Sequence, residues 1–298
     1  MLTFRRFLSL ILVLACFISL LSCNKKPKLC ISETDGYYLH TNVSYGKDER
    51  HYLDIAVPKA DIVPEGMMLY IHGGGWIGGY KEVYSDYLIK DAERGYVAAA
   101  INYRYADGKS VTCEDILDDI ELALMCIKNT CKEYGIDINK VMLSGGSAGG
   151  HLSLMFAYTR GETSPIKPVA VASYAGPTNL NDENFYSTEY VEDIKNMISK
   201  ISGVDLKNRA VVDCIAELDA ASPVFYADDG AVPTLIFHGM KDDVVPYSNA
   251  IALYNALESS GVEVEMVGFE NSGHGLESDP EKWKLTEELV FEFMKTYL

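Results

Sequence analysis

Apolar residues in this chain gather in short blocks near 43–46, 52–57, 67–71, 97–102, 141–143, 169–174, 234–237 and 262–269. Between them run longer segments, near 84–94, 113–134, 148–158, 248–260 and 281–297, in which apolar residues recur every three or four positions. The first pattern predicts buried strands and the second amphipathic helices. Their alternation predicts an α/β protein: a mostly parallel eight-stranded sheet with helices on both faces. One polar segment, 176–221, breaks the rhythm with Asn179, Asn181 and Asn184 and a helical stretch at 191–201. It precedes the strand at 234–237 and reads as a small cap insertion at the carboxyl edge of the sheet. Its Phe185, Tyr186 and Tyr190 are either an aromatic wall for substrate or the insertion's own small core. Trp76 carries the same pair of readings, pocket floor or packing.

The sharpest local pattern is Gly145-Gly146-Ser147-Ala148-Gly149, set between the block at 141–143 and the helix that follows. A Gly-x-Ser-x-Gly turn from strand to helix is the setting of a nucleophile elbow. The turn is tight enough to strain the serine backbone, and side chains two residues to either side would collide with it. Gly145 and Gly149 remove that collision. Upstream, the strand at 67–71 runs into His72-Gly73-Gly74-Gly75-Trp76. Bare backbone N–H groups fixed in place are good donors to the oxyanion formed in acyl transfer. Ala148, directly after the serine, supplies another.

Downstream, the strand at 234–237 leads to Asp242 and Asp243, and the strand at 262–269 to His274, which glycines flank on both sides. A carboxylate at such a strand end orients a catalytic imidazole and stabilises its protonated form. Spacing alone does not separate Asp242 from Asp243. Of the six histidines only His274 follows an acid-bearing loop; His40, His51, His72, His151 and His238 are read as structural. The order serine, acid, histidine is that of an α/β-hydrolase triad.

These motifs, over roughly residues 52–298, resemble the α/β-hydrolase esterases with an HGGG oxyanion motif, a grouping that includes hormone-sensitive-lipase-like carboxylesterases. The similarity is greater to bacterial feruloyl- and acetyl-esterase-like members. The resemblance implies that the acid is Asp242, in His238-Gly239-Met240-Lys241-Asp242, and that the oxyanion donors are Gly74, Gly75 and Ala148. Hormone-sensitive-lipase-like members usually carry an acidic residue before the nucleophile. Gly146 stands there instead, which favours the carbohydrate-esterase-like branch.

At 298 residues the chain suffices for one large α/β domain, taken as 37–298. The amino terminus lies outside that fold. Arg5 and Arg6 precede an apolar run over 7–21, short for a membrane span and right for a signal peptide at 1–22. Leu20-Leu21-Ser22-Cys23 resembles a bacterial lipobox, which implies acylation at Cys23, a polar tether over 23–36, and an exported protein lipid-anchored to a bacterial membrane. After removal of 1–22 the chain holds 24 basic and 43 acidic residues, net −19. Such a surface opposes nucleic-acid binding, where neutralising phosphates dominates affinity. Five cysteines follow Cys23, an odd number, and Cys126 and Cys131 are five apart in one helix, so no disulfide is required. No CxxC or Cys/His cluster suggests a metal. The acidic pairs Glu114-Asp115 and Asp118-Asp119 read as solvated charges that favour the start of a helix.

The expected function is therefore a serine carboxylesterase with Ser147, Asp242 and His274 as triad, needing no cofactor. Its substrates would be short-chain or aromatic acyl esters, acetyl or feruloyl, on small molecules or oligosaccharides, and no protein partner is implied. The alternatives are an arylformamidase or peptidase on the same fold, or a binding protein without catalysis.

Overall fold

The computed structural model describes residues 26–59 and 66–298. The signal sequence and Cys23 lie outside the described residues. In chain order the strands are β1 (Cys30–Glu33), β2 (Tyr37–Ser44), β3 (Tyr52–Pro58), β4 (Gly66–Ile71), β5 (Val97–Ile101), β6 (Lys140–Gly146), β7 (Lys167–Tyr174), β8 (Thr234–Gly239) and β9 (Val264–Phe269). The helices are α1 (Ser85–Glu93), α2 (Cys113–Glu133), α3 (Ala148–Arg160), α4 (Val191–Ser202), α5 (Ile215–Asp219), α6 (Ser248–Ser259) and α7 (Pro280–Tyr297).

Nine strands form one sheet in the order β1-β2-β3-β5-β4-β6-β7-β8-β9, not the eight expected. From β5 onward across the sheet all pairings are parallel, and β1, β2 and β3 are joined antiparallel. The added strand, β1, falls inside the stretch read as a tether. All four of its residues are exposed, so it holds its place by backbone pairing with β2 and offers no apolar pattern to detect. β2 starts six residues earlier than expected, because a bulge between His40 and Val43 interrupts its alternation. There Asn42 takes a left-handed φ of 59°, and its N–H donates to the Asp54 carboxylate at 2.7 Å.

Alternation within the central strands builds two cores. Met67, Leu69 and Ile71 of β4 face α2, α3 and α6, meeting Ile116, Ile120, Leu152, Phe156 and Leu253. Met68 and Tyr70 face α1 and α7, with Leu88, Ala92, Phe293 and Met294. The acidic start of α2 is only partly solvated. Asp115 closes a capping box with Thr112, while Asp119 is fully buried, bonded to His51 at 3.0 Å and to Arg104 at 2.7 Å.

The chain leaves β4 toward β5 on one side, and continues from β6 to β7 on the other. The carboxyl ends of β4 and β6 thus flank the point where strand order reverses. Ligands of open parallel sheets bind in the crevice at such a point.

Candidate active site

Both glycine-rich motifs sit at that crevice. His72–Trp76 follows β4, and Ser147 joins β6 to α3 with a left-handed φ of 53°. The strain is over-determined by its surroundings. The Ser147 N–H donates to the Tyr174 carbonyl at 2.7 Å, fixing the turn to β7. A Cβ on Gly149 would run into the Ile71 carbonyl, and one on Gly145 would strike the Gly149 backbone, so both positions exclude larger residues. Gly146 differs. A Cβ there would be 3.9 Å from both the Tyr84 hydroxyl and the Tyr174 carbonyl, ordinary contact distance. It borders a cavity of about 140 Å³ whose walls include Tyr84, Tyr87, Tyr174 and Trp283.

The glycine loop after β4 lies over the elbow: a Cβ on Gly73 would be 2.7 Å from the Gly146 carbonyl oxygen and 3.4 Å from the Ser147 Cβ. Gly74, Gly75 and Trp76 all take positive φ, at 113°, 58° and 62°. The Gly74 carbonyl accepts from the Ile77 N–H at 3.1 Å, closing the turn. Among the described residues, the Gly74 and Gly75 N–H groups have no acceptor. Ala148 opens α3, where first-turn N–H groups have no partner within the helix.

Asp242 and His274 follow β8 and β9 at the same edge. The His274 Nδ1–H donates to the Asp242 Oδ2 at 2.8 Å, which leaves Nε2 as the basic nitrogen. The Val244 and Val245 N–H groups each donate to Oδ1 at 2.9 Å. The Asp242 side chain is wholly buried, whereas Asp243 is exposed. Thus the structure pairs Asp242, and not its neighbour, with the histidine. Burial opposes ionisation of Asp242, yet hydrogen bonds from His238 and His274 hold its carboxyl well below the usual range. The Ser147 hydroxyl has no hydrogen-bond partner among the described residues, so its bond to His274 is not formed here. Catalytic hydrogen bonds are often long or misaligned before substrate binds.

Three supporting residues escape a reading by sequence. His238 places Nε2 at 3.2 Å from the Asp242 Oδ2 and 2.9 Å from the Val245 carbonyl. In sequence it stands as the first residue of the motif that ends at Asp242, with nothing to say that its ring turns to the acid. Tyr84 accepts from the Gly146 N–H at 3.2 Å and donates to the Ile71 carbonyl, so one phenol ties the elbow to the end of β4. Burial pushes that phenol up to about 12. Arg50 donates to the Gly79 and Tyr103 carbonyls and stands 3.3 Å from the His72 Nε2, clamping the far side of the glycine loop after β4.

Trp76 is packing. Its buried indole N–H donates to the His151 Nδ1 at 3.2 Å, and the His151 Nε2 then donates to the Ala221 carbonyl at 2.8 Å. Burial lowers the His151 pKa to about 4, against the opposing pull of that carbonyl. The aromatics of this segment divide: Phe185 is buried in the main core beneath the sheet, Tyr186 packs against that core and donates to the Leu180 carbonyl at 2.6 Å, and Tyr190 is exposed.

The sheet order, the helices on both faces and the elbow define an α/β-hydrolase. Residues 53–257 match the sequence model of the BD-FAE family, more than half of the chain, and the protein belongs to that family. A probable carboxylic ester hydrolase of Mycobacterium tuberculosis, LipM, is 30% identical over 220 residues, covering 72% of this chain and 50% of its own length. The chain spans about half the length of the curated relatives it matches. Among solved structures, a truncated carbohydrate esterase from gut microbiota superposes with a TM-score of 0.66 at 22% identity, over 83% of this chain and 92% of that one. An esterase from Thermogutta terrifontis does so with a TM-score of 0.64 at 25% identity, over 87% and 92%.

Proposed function

We propose that the protein is a serine carboxylic ester hydrolase. The Ser147 hydroxyl attacks the ester carbonyl while His274 Nε2 takes its proton. The N–H groups of Gly74, Gly75 and Ala148 hold the negative charge that develops on the carbonyl oxygen. His274 then gives the proton to the departing alcohol, and water repeats the sequence on the acyl-enzyme. Asp242 keeps the imidazole in the required tautomer and stabilises it when charged. The observation that carries the reading is the Asp242–His274 pair at 2.8 Å, at the strand edge that also holds Ser147 and the unpaired glycine N–H groups.

The preferred substrates are short-chain or aromatic acyl esters, acetyl or feruloyl, on carbohydrates. Support comes from the structural likeness to a carbohydrate esterase, the glycine before the nucleophile, and an insertion too polar for a lipase lid. The enzyme is exported and acylated at Cys23. Labelling with a clickable palmitate analogue tests this: label on the wild type and none on Cys23→Ser is expected, and an unlabelled wild type sinks it.

Replacing Ser147 by alanine tests the mechanism. Turnover should fall on the order of a millionfold with the fold intact, since the half-buried side chain packs little. Activity near that of the wild type would exclude Ser147 as nucleophile. Acetylated xylan, methyl ferulate and short aryl esters, compared side by side, fix the substrate class.

A further inference from the structure

Helix α4 meets the glycine loop after β4 at Met197. A Cβ added to Gly75 would land on the Met197 Sδ and lie 3.3 Å from its Cγ, so the thioether rests against the Gly75 Cα. Gly75 has a φ of 58° and no room for a side chain, and Met197 occupies the space one would fill. Ile194, Ile198 and Ile201, on the same helix, are buried in the core shared with α2 and α3. They hold α4 in place while Met197, half-buried, is left at the margin of the site.

The direction of a bound ester follows from proton transfer. The alcohol oxygen must face His274 to be protonated. Leu276, two residues beyond His274, packs with α7 against the opposite face of the sheet from α4. We infer that, with the carbonyl oxygen on the glycine N–H groups and the alcohol toward His274, the acyl chain runs on the side where Met197 meets Gly75. We propose that Met197 closes the acyl side of the site and sets the acyl length that the enzyme accepts. This rests on the assignment of Gly75 as an oxyanion donor. The flexible, polarisable methionine side chain moulds itself to a short acyl group and blocks the path of a longer one.

The test is a series of p-nitrophenyl esters from acetate to octanoate, on wild type, Met197→Ala, Met197→Leu and Met197→Phe. All are normalised to active sites titrated with a fluorophosphonate. Alanine removes three heavy atoms, space for two or three methylenes. The kcat/KM ratio of hexanoate to acetate should therefore rise about tenfold in Met197→Ala, at a few-fold per methylene newly buried. It should stay near wild type in Met197→Leu and fall in Met197→Phe. A parallel series of acetyl esters with alcohols of increasing size should not change its ranking. An unchanged acyl ratio in Met197→Ala overturns the proposal, and so does a shift confined to the alcohol series. Failure of the fluorophosphonate to label any of these proteins would instead reject the serine-hydrolase reading beneath it. Should Met197→Ala not fold, the Phe-to-Leu comparison decides: equal ratios in those two variants refute the proposal.

Discussion

Asp242 and Asp243 adjoin in sequence and differ entirely in surroundings. One carboxylate receives two backbone N–H groups and two imidazoles in a buried setting, and the other is exposed. Replacing Asp242 by asparagine removes the charge and favours the wrong tautomer of His274, and should lower turnover about 10⁴-fold. Asp243→Asn should stay within a few-fold of wild type, and steady-state kinetics on one aryl acetate compares the two. Spacing could not make this choice, because it depends on which carboxylate turns back toward the Val244 and Val245 amides. The same limit hid His238. A histidine four residues before an acid is common, and only the fold brings its ring to the oxygen that His274 also uses.

At the scale of elements, legibility followed how much of the environment is local. Elbow, strand β6 and helix α3 were readable because a five-residue turn has few ways to join a strand to a helix, and its glycines are dictated by nearby backbone. Strand β1 was not readable, since nothing in its exposed residues differs from a loop until β2 lies beside it. Nor was the burial of Asp119, which needs Arg104 and His51 from distant segments. Lys81 belongs to this group. It follows the glycine loop after β4, and although lysines are mostly exposed in folded proteins it is 1% exposed. Its ammonium sits 2.9 Å from Asp54 on β3 and 3.1 Å from the Asn42 side chain at the β2 bulge. Lys81→Met strands the Asp54 charge in the interior and should destabilise the fold by about 3–5 kcal/mol. Urea denaturation measures this, and Lys81→Met with Asp54→Leu should recover part of the loss.

Across the whole molecule, acidification adds a pressure that the acidic composition does not suggest. Burial drives the His72 pKa down to about 3 and that of His151 to about 4. An unfolded chain would protonate both near the ordinary value of about 6.5. Below that pH the unfolded state binds more protons, so folding stability falls as pH drops from about 6.5 toward 4, by at most about 1.4 kcal/mol per pH unit for each histidine. The melting temperature should decline over that window, while NMR of the native protein at pH 5 should show both rings neutral. Rings that are charged in the pH 5 spectrum would mean that the fold does not hold them neutral. His151 also gives the site a shared hinge pin. One imidazole bonds Trp76 in the glycine loop after β4, rides on α3 and bonds the Ala221 carbonyl just after α5. No one of these three segments can swing away without breaking a bond that another depends on. If the proposed mechanism holds, the conformational entropy of the loop is lost once, when the chain folds, and not again as each ester binds.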